Sequence, residues 1–125
     1  IATSKSDKIK NLKNSHQMFE YYCSLHWFLV TSNAEGSPNP FHESHAVGVP
    51  AIATSVGNIV EIMDHGLDGF FAAAKLSSFV DKIKDVQSMN QDQYEKMRLC
   101  ARNRIETWDW SIKSKKWLKF FTNES

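Results

Sequence analysis

Three short apolar runs set the terms on which this chain can fold. LHWFLVT (Leu25–Thr31), PAIAT (Pro50–Thr54) and FFAAA (Phe70–Ala74) are each of strand length, and the segments between them carry helix and turn chemistry. Strand, helix, strand in that order closes most readily as an α/β domain, with parallel strands joined by crossover helices. The first run is nearly continuous apolar, rich in aromatic and branched residues, and reads as a strand covered on both faces. At 125 residues the chain suffices for one small domain, and a 42% hydrophobic content makes a packed core the expectation rather than disorder.

The connecting segments supply the rest. Residues 1–14 are polar and lysine-rich and read as a strand end followed by a loop. Met18, Tyr21, Tyr22 and Leu25 recur at helical spacing, which predicts a short amphipathic helix over His16–Leu25. After the loop SNAEGSPNP, Asn39 is a suitable N-cap and Pro40 suits the first helical position, where an N–H would be unsatisfied anyway. That helix should stop at Gly48. SVGN reads as a turn, IVEIM as a helical turn and HGLDG as a loop. The last third is helical. One helix from Leu76 puts Phe79, Val80, Ile83 and Val86 on one face, with Ser77 or Ser78 to cap it. A second, after Asn90, aligns Tyr94, Met97, Ala101 and Ile105. WDWS breaks the chain before a final helix on which Trp110, Trp117 and Phe121 share a face.

Several function classes lose support at this level. A formal net charge of +1 offers no global attraction for nucleic acid or an anionic membrane. No apolar run approaches the roughly 20 residues of a membrane span. Cys23 and Cys100 are far apart without metal-ligand or redox spacing, and read as reduced, buried thiols of a cytosolic protein, a disulfide between them staying open. A chain that opens on Ile1 is expected to continue upstream.

The chemistry concentrates in EGSPNPFHE. Glu35 lies in the loop after an apolar strand and Glu43 one turn into the next helix, with seven residues between them. In an open α/β sheet, ligands bind beyond the carboxyl ends of strands, where a helix start offers free N–H groups to phosphates. Carboxylates there can each accept a pair of sugar hydroxyls. Taken alone, two glutamates at this spacing read better as two solvated surface carboxylates flanking a turn.

From about Met18 to Trp110 the order of motifs resembles the C-terminal domain of the family-4-like (group 1) GT-B glycosyltransferases. The pieces that carry the resemblance are YYCSLHWFLVTSNAEG, EGSPNPFHESHAVGVPAIAT, SVGNIVEIMDHGLDGFF and ARNRIETWDW. The resemblance implies a Rossmann-like, parallel-sheet half of a GT-B fold with a helical C-terminal end. Residues 1–125 would then be part of the nucleotide-sugar-binding domain of a retaining glycosyltransferase. It implies that Glu43 holds the ribose hydroxyls, and that Glu35 contacts the transferred sugar and stabilises the reacting centre. The backbone of Ser37, Pro38, Asn39 and Phe41 would meet the sugar and distal phosphate, and Gly57 would belong to the nucleotide-side loop. Pro38 and Pro40 depart from the commoner glycine-rich form, and Asn58 stands where a second glycine is frequent; Pro38 and Pro40 have no N–H to donate.

Neither a cofactor nor a metal is implied, and no Asp-x-Asp pattern occurs. The partners implied are a nucleotide-sugar and a saccharide or lipid-linked acceptor held by an N-terminal domain absent here, as is the basic diphosphate clamp. The chain alone is therefore expected to be inactive. Two other readings share the scaffold: a non-catalytic α/β interaction module, which would be free to lose both glutamates, and a GT-B nucleotide-sugar epimerase. The location implied is cytoplasmic, with membrane-surface contact open.

Other features have plainer explanations. His42 and His45 are three apart on one helix without zinc-protease order, and His45 reads as packing. His65 reads as packing in a loop that could border the site. Lys113, Lys115, Lys116 and Lys119 read as the solvated face of the last helix, its aromatics turned inward; Trp108 and Trp110 read as core anchors.

Overall fold

The computed structural model describes residues 15–122. In chain order the elements are α1 (Ser15–Cys23), β1 (Phe28–Val30), α2 (Asn39–Ala46), β2 (Ala51–Ala53), α3 (Ile59–Ile62) and β3 (Gly69–Phe71). Helices α4 (Leu76–Gln87), α5 (Gln91–Glu106) and α6 (Trp110–Thr122) follow. The reading of residues 1–14 lies outside the described residues, as does that of the Trp110 side chain.

The sheet is parallel, in the order β1-β2-β3, with Leu29 paired to Ile52 and Ile52 to Phe70. Its centre, β2, is buried at all three positions. Alternation along that strand divides the interior in two. Ala51 and Ala53 face a cluster with Phe41, Ile59, Ile62, Met63 and Ile105, while Ile52 faces Ala72 and Phe79. Small residues on one side of β2 let the helices on that side come close. Gly69 makes the same concession on β3, because a Cβ there would stand 2.4 Å from both the Ala51 carbonyl oxygen and Met63 Sδ.

Several expectations are corrected. The first strand is three residues long and, among the described residues, lies at the sheet edge, with Leu29 exposed rather than covered. Helix α2 begins at Asn39, with Pro38 in the N-cap position. The Pro38 carbonyl accepts from Phe41 N–H at 3.0 Å and His42 N–H at 3.4 Å, and Asn39 makes no side-chain cap. Lys75, not a serine, precedes α4, again without a side-chain cap. Val80 lies off the packed stripe of that helix, whereas Phe79 is buried. Both cysteines are free and exposed, Cys23 at the end of α1 and Cys100 off the Met97–Ala101–Ile105 stripe of α5. Trp117 and Phe121 do share a face of α6, their rings stacked 5.8 Å apart, but both are exposed instead of turned into the core. Trp108 packs against the main cluster as expected. Among the described residues no helix is long and apolar enough to cross a membrane.

Helix α5 is tied down by polar contacts as well as by its apolar stripe. Asn90 and Gln93 form a reciprocal capping box at its start. Arg98 Nε donates to the Gly48 carbonyl at 3.0 Å. At its far end Arg104 pairs with Asp64 and stands 3.8 Å from Asp68, whose carboxylate is wholly buried 3.6 Å from the equally buried His45. Asp68 Oδ1 accepts from the Asp64 N–H at 2.7 Å. Its Oδ2 accepts no hydrogen bond and instead lies between the imidazole and the guanidinium. One carboxylate thereby links α2, the loop before β3, and α5.

Removing it would leave buried partners uncompensated. Asp68→Ala is expected to cost about 3–5 kcal/mol of folding stability. Asp85→Ala, in the more exposed Lys82–Asp85 pair, should cost at most about 0.5 kcal/mol. Urea unfolding of the two variants side by side checks the contrast; equal losses would rule out the buried link.

Candidate functional site

Parallel strands point their carboxyl ends the same way, so the loops after β1 and β2 emerge together. Thr54 continues the pairing past the strand ends: its N–H donates to the Val30 carbonyl at 3.0 Å, and its buried hydroxyl to the Ser32 carbonyl at 2.6 Å. Ser32 is thereby set to donate its own hydroxyl to Glu35 Oε1 at 2.7 Å. The Glu35 carboxylate is exposed, yet anchored through two hydroxyls to the central strand.

Gly57 brings the second loop against the first. Its φ of 53° is left-handed, and a Cβ would stand 2.2 Å from the Gly36 carbonyl oxygen and 2.7 Å from that of Glu35. Only glycine permits this approach. Asn58, next along, donates its N–H to the Gly36 carbonyl at 2.9 Å and its side-chain amide to Ser37 Oγ at 2.9 Å. His42 Nε2 lies 3.3 Å from Asn58 Oδ1 and 3.4 Å from Ser37 Oγ.

Glu35, Ser37 and Gly57 thus share one place at the sheet edge. Pro38 and Phe41 are buried, the Phe41 ring fully, and the Phe41 N–H is occupied by Pro38. The prolines at 38 and 40 remove two further donors, which leaves the backbone N–H groups of Ser37 and Asn39 to face a ligand. Glu43 is exposed one turn into α2. Tyr22 of α1, its ring 4% exposed, stands close enough to that carboxylate for the negative charge to bear on its phenol.

Sequence pattern alone puts Tyr22 on an apolar stripe and assigns no side-chain role at the site to Asn58, His42, Ser32 or Thr54. Ser32 meets Glu35 three residues on; the contacts of Asn58, His42 and Thr54 reach 16 to 22 residues along the chain, which no local pattern encodes. His65 is a packing residue, its Nδ1 accepting from the Phe71 N–H at 3.0 Å. His45 is core, against Phe41 at a ring distance of 4.3 Å. Among the described residues no three His, Cys, Asp or Glu side chains gather as metal ligands. An apolar hollow of about 550 Å³ beside Trp27, Leu29, Ile52 and Ile83 includes none of the site residues in its lining.

Burial, then the nearby Glu43 carboxylate and its negative charge, push the Tyr22 phenol well above its ordinary range. A raised pKa means the folded protein holds this proton more tightly than the unfolded chain. The contribution is complete below the ordinary tyrosine value of about 10 and is lost as pH rises past it. Tyr22→Phe should therefore flatten the fall in stability above about pH 10. Tyr94, also raised by burial, keeps a remainder. Urea midpoints across an alkaline series test this, and identical slopes in the two proteins would contradict it.

Comparison with known proteins bears on the family and the fold. The family model described as "Glycosyl transferases group 1" matches residues 2–88. Sucrose-phosphate synthase from Thermosynechococcus elongatus superposes with a TM-score of 0.74 at 17% identity, over 90% of this chain and 30% of that one. The C-terminal domain of a glycosyl transferase group 1 family protein from Francisella tularensis gives 0.65 at 22%, covering 77% of this chain and 49% of that one. Anabaena HepE, solved in complex with UDP, gives 0.69 at 14%, over 97% of this chain and 38% of that one. No curated protein matches the sequence. The chain spans less than half the length of each of these structures. The fold is the Rossmann-like half of a GT-B architecture.

Proposed function

Because the chain belongs to the group 1 glycosyl transferases, we propose that it is the donor-binding part of a retaining glycosyltransferase that holds a nucleotide-sugar while the sugar passes to an acceptor hydroxyl. The observation that carries the reading is the contact of Gly57 with the Glu35 and Gly36 carbonyls. It joins the two loops beyond neighbouring parallel strands, the region where α/β sheets take nucleotide ligands. The UDP in the Anabaena neighbour is a ligand of the same class.

In this reading Glu43 accepts the ribose hydroxyls, its carboxylate close to the Tyr22 phenol. The backbone around Ser37, Pro38, Asn39 and Phe41 lies along the phosphate and sugar, and Gly57 closes the nucleotide side. Glu35, held by Ser32, faces the sugar carbon as it gains positive character in the transition state. The basic clamp on the diphosphate and the acceptor site are assigned to residues outside this chain. The chemistry given to these residues calls on no metal ion or other cofactor.

Two substitutions in the complete polypeptide test the two carboxylates separately. Glu43→Ala should weaken binding of UDP, GDP or ADP, whichever the protein takes, by about 10- to 100-fold, the worth of a charge-assisted bidentate contact. Unchanged calorimetric affinity in a folded variant would remove the ribose role. Glu35→Gln keeps size but not charge. Turnover of the best donor in a panel of UDP-, GDP- and ADP-hexoses should fall at least ~10²-fold, with affinity falling far less. Turnover near that of the unsubstituted protein would take Glu35 out of the mechanism.

A further inference from the structure

The backbone that carries Glu35 is held by the second loop, against which its carbonyl and that of Gly36 lie. Gly36 follows directly, and a Cβ built there would meet nothing within 4 Å, so sterics place no limit on the turn. Glycine also has the widest backbone freedom to lose. Downstream, the Pro38 ring is buried and its φ is set by the pyrrolidine. Between Glu35 and Pro38 the chain must be restrained by contacts from elsewhere.

Asn58 supplies them. Its backbone N–H reaches the Gly36 carbonyl and its side-chain amide reaches Ser37 Oγ, each at 2.9 Å. With Nδ2 donating to the serine, Oδ1 is an acceptor, so His42 Nε2 at 3.3 Å carries a hydrogen. A ring nitrogen in that state cannot accept from Ser37, 3.4 Å away. This facing of the amide and that tautomer of the ring go together. The Ser37 hydroxyl accepts from Asn58 and keeps its own proton for another acceptor.

We propose that Asn58 is a positioning residue: it holds the Glu35–Ser37 segment in working geometry, with its Oδ1 turned to His42. The proposal rests on the reading of Glu35 as the transition-state stabiliser. Asn58 touches neither the reacting atoms nor the Glu35 carboxylate. Its N–H acts on the backbone one residue further along and its amide on the Ser37 hydroxyl, while Ser32 holds the carboxylate itself.

The test uses the complete polypeptide and the same donor panel. Asn58→Ala should lower kcat about tenfold, since small misplacements of a reacting group are costly. Nucleoside diphosphate affinity should change by less than about threefold, and the urea midpoint should stay unchanged. Asn58→Asp retains the shape and the acceptor facing His42 but loses the amide donor to Ser37; it should lose turnover similarly, and it decides the matter if the alanine variant does not fold. In a Glu35→Gln background, Asn58→Ala should cost nothing more, because its effect runs through Glu35. A full tenfold further loss there, or an unchanged kcat in the single variants beside a depressed Glu35→Gln, overturns the proposal alone. Unaltered turnover in Glu35→Gln itself overturns the reading of Glu35, and this proposal with it.

Discussion

Hydrogen bonds from the Thr54 N–H and hydroxyl, to the carbonyls of Val30 and Ser32, extend the contact between the first two strands beyond the sheet proper. Without them the loop after β1 would leave the sheet at Val30 with no fixed heading. With them, Ser32 is set against the central strand and its hydroxyl against Glu35. The second loop then has a surface to close on, and Gly57 closes on it at a distance no side chain allows. Each step depends on the previous one. All depend on the strands being parallel, since antiparallel partners would send the two loops to opposite edges.

Beneath the site, the strands are held between two unequal layers. Ala51 and Ala53 admit close helices on one side, where α2, α3 and the end of α5 gather around Phe41, Ile62 and Ile105. Ile52 alone represents β2 on the other side, against Phe79 of α4. The thicker layer also contains the buried Asp68, with His45 on one side and Arg104 on the other. A carboxylate without solvent costs stability unless charge and hydrogen bonds surround it. Here the compensation comes from three separate segments, which fixes how α2 sits on α5. Since α2 carries both His42 and Glu43, the same cluster bears on where those side chains stand.

The polar groups at the site are arranged around what the prolines withhold. Pro38 and Pro40 contribute no N–H, and Pro38 uses its carbonyl to start the helix. Side chains stand in for the missing backbone donors, with Ser37, Asn58 and His42 forming a closed set of contacts where a glycine-rich loop would offer only main chain. Tyr22 brings a phenol close to Glu43 from a ring that is otherwise core. These contacts join residues 5 to 21 positions apart, and they form only once the sheet has brought the segments together.

The order of apolar runs was enough to determine the parallel α/β class, the places of β2 and β3, and the inward stripe of α5. Those features follow from periodicity and strand length, which are local properties. The motif order was enough to point to the family and to Glu35, Ser37 and Gly57 as neighbours. Tertiary structure alone decided that β1 lies at the edge of the sheet among the described residues with Leu29 exposed, that Pro38 rather than Asn39 caps α2, and that Trp117 and Phe121 of α6 face outward. It alone paired Asp68 with His45 and Arg104 and brought Asn58 to Ser37. An apolar residue carries the same local signal whether its far side is covered or bare, and a polar residue the same signal whether or not a distant partner meets it. Burial and long-range pairing are settled by which surfaces the packed chain brings together.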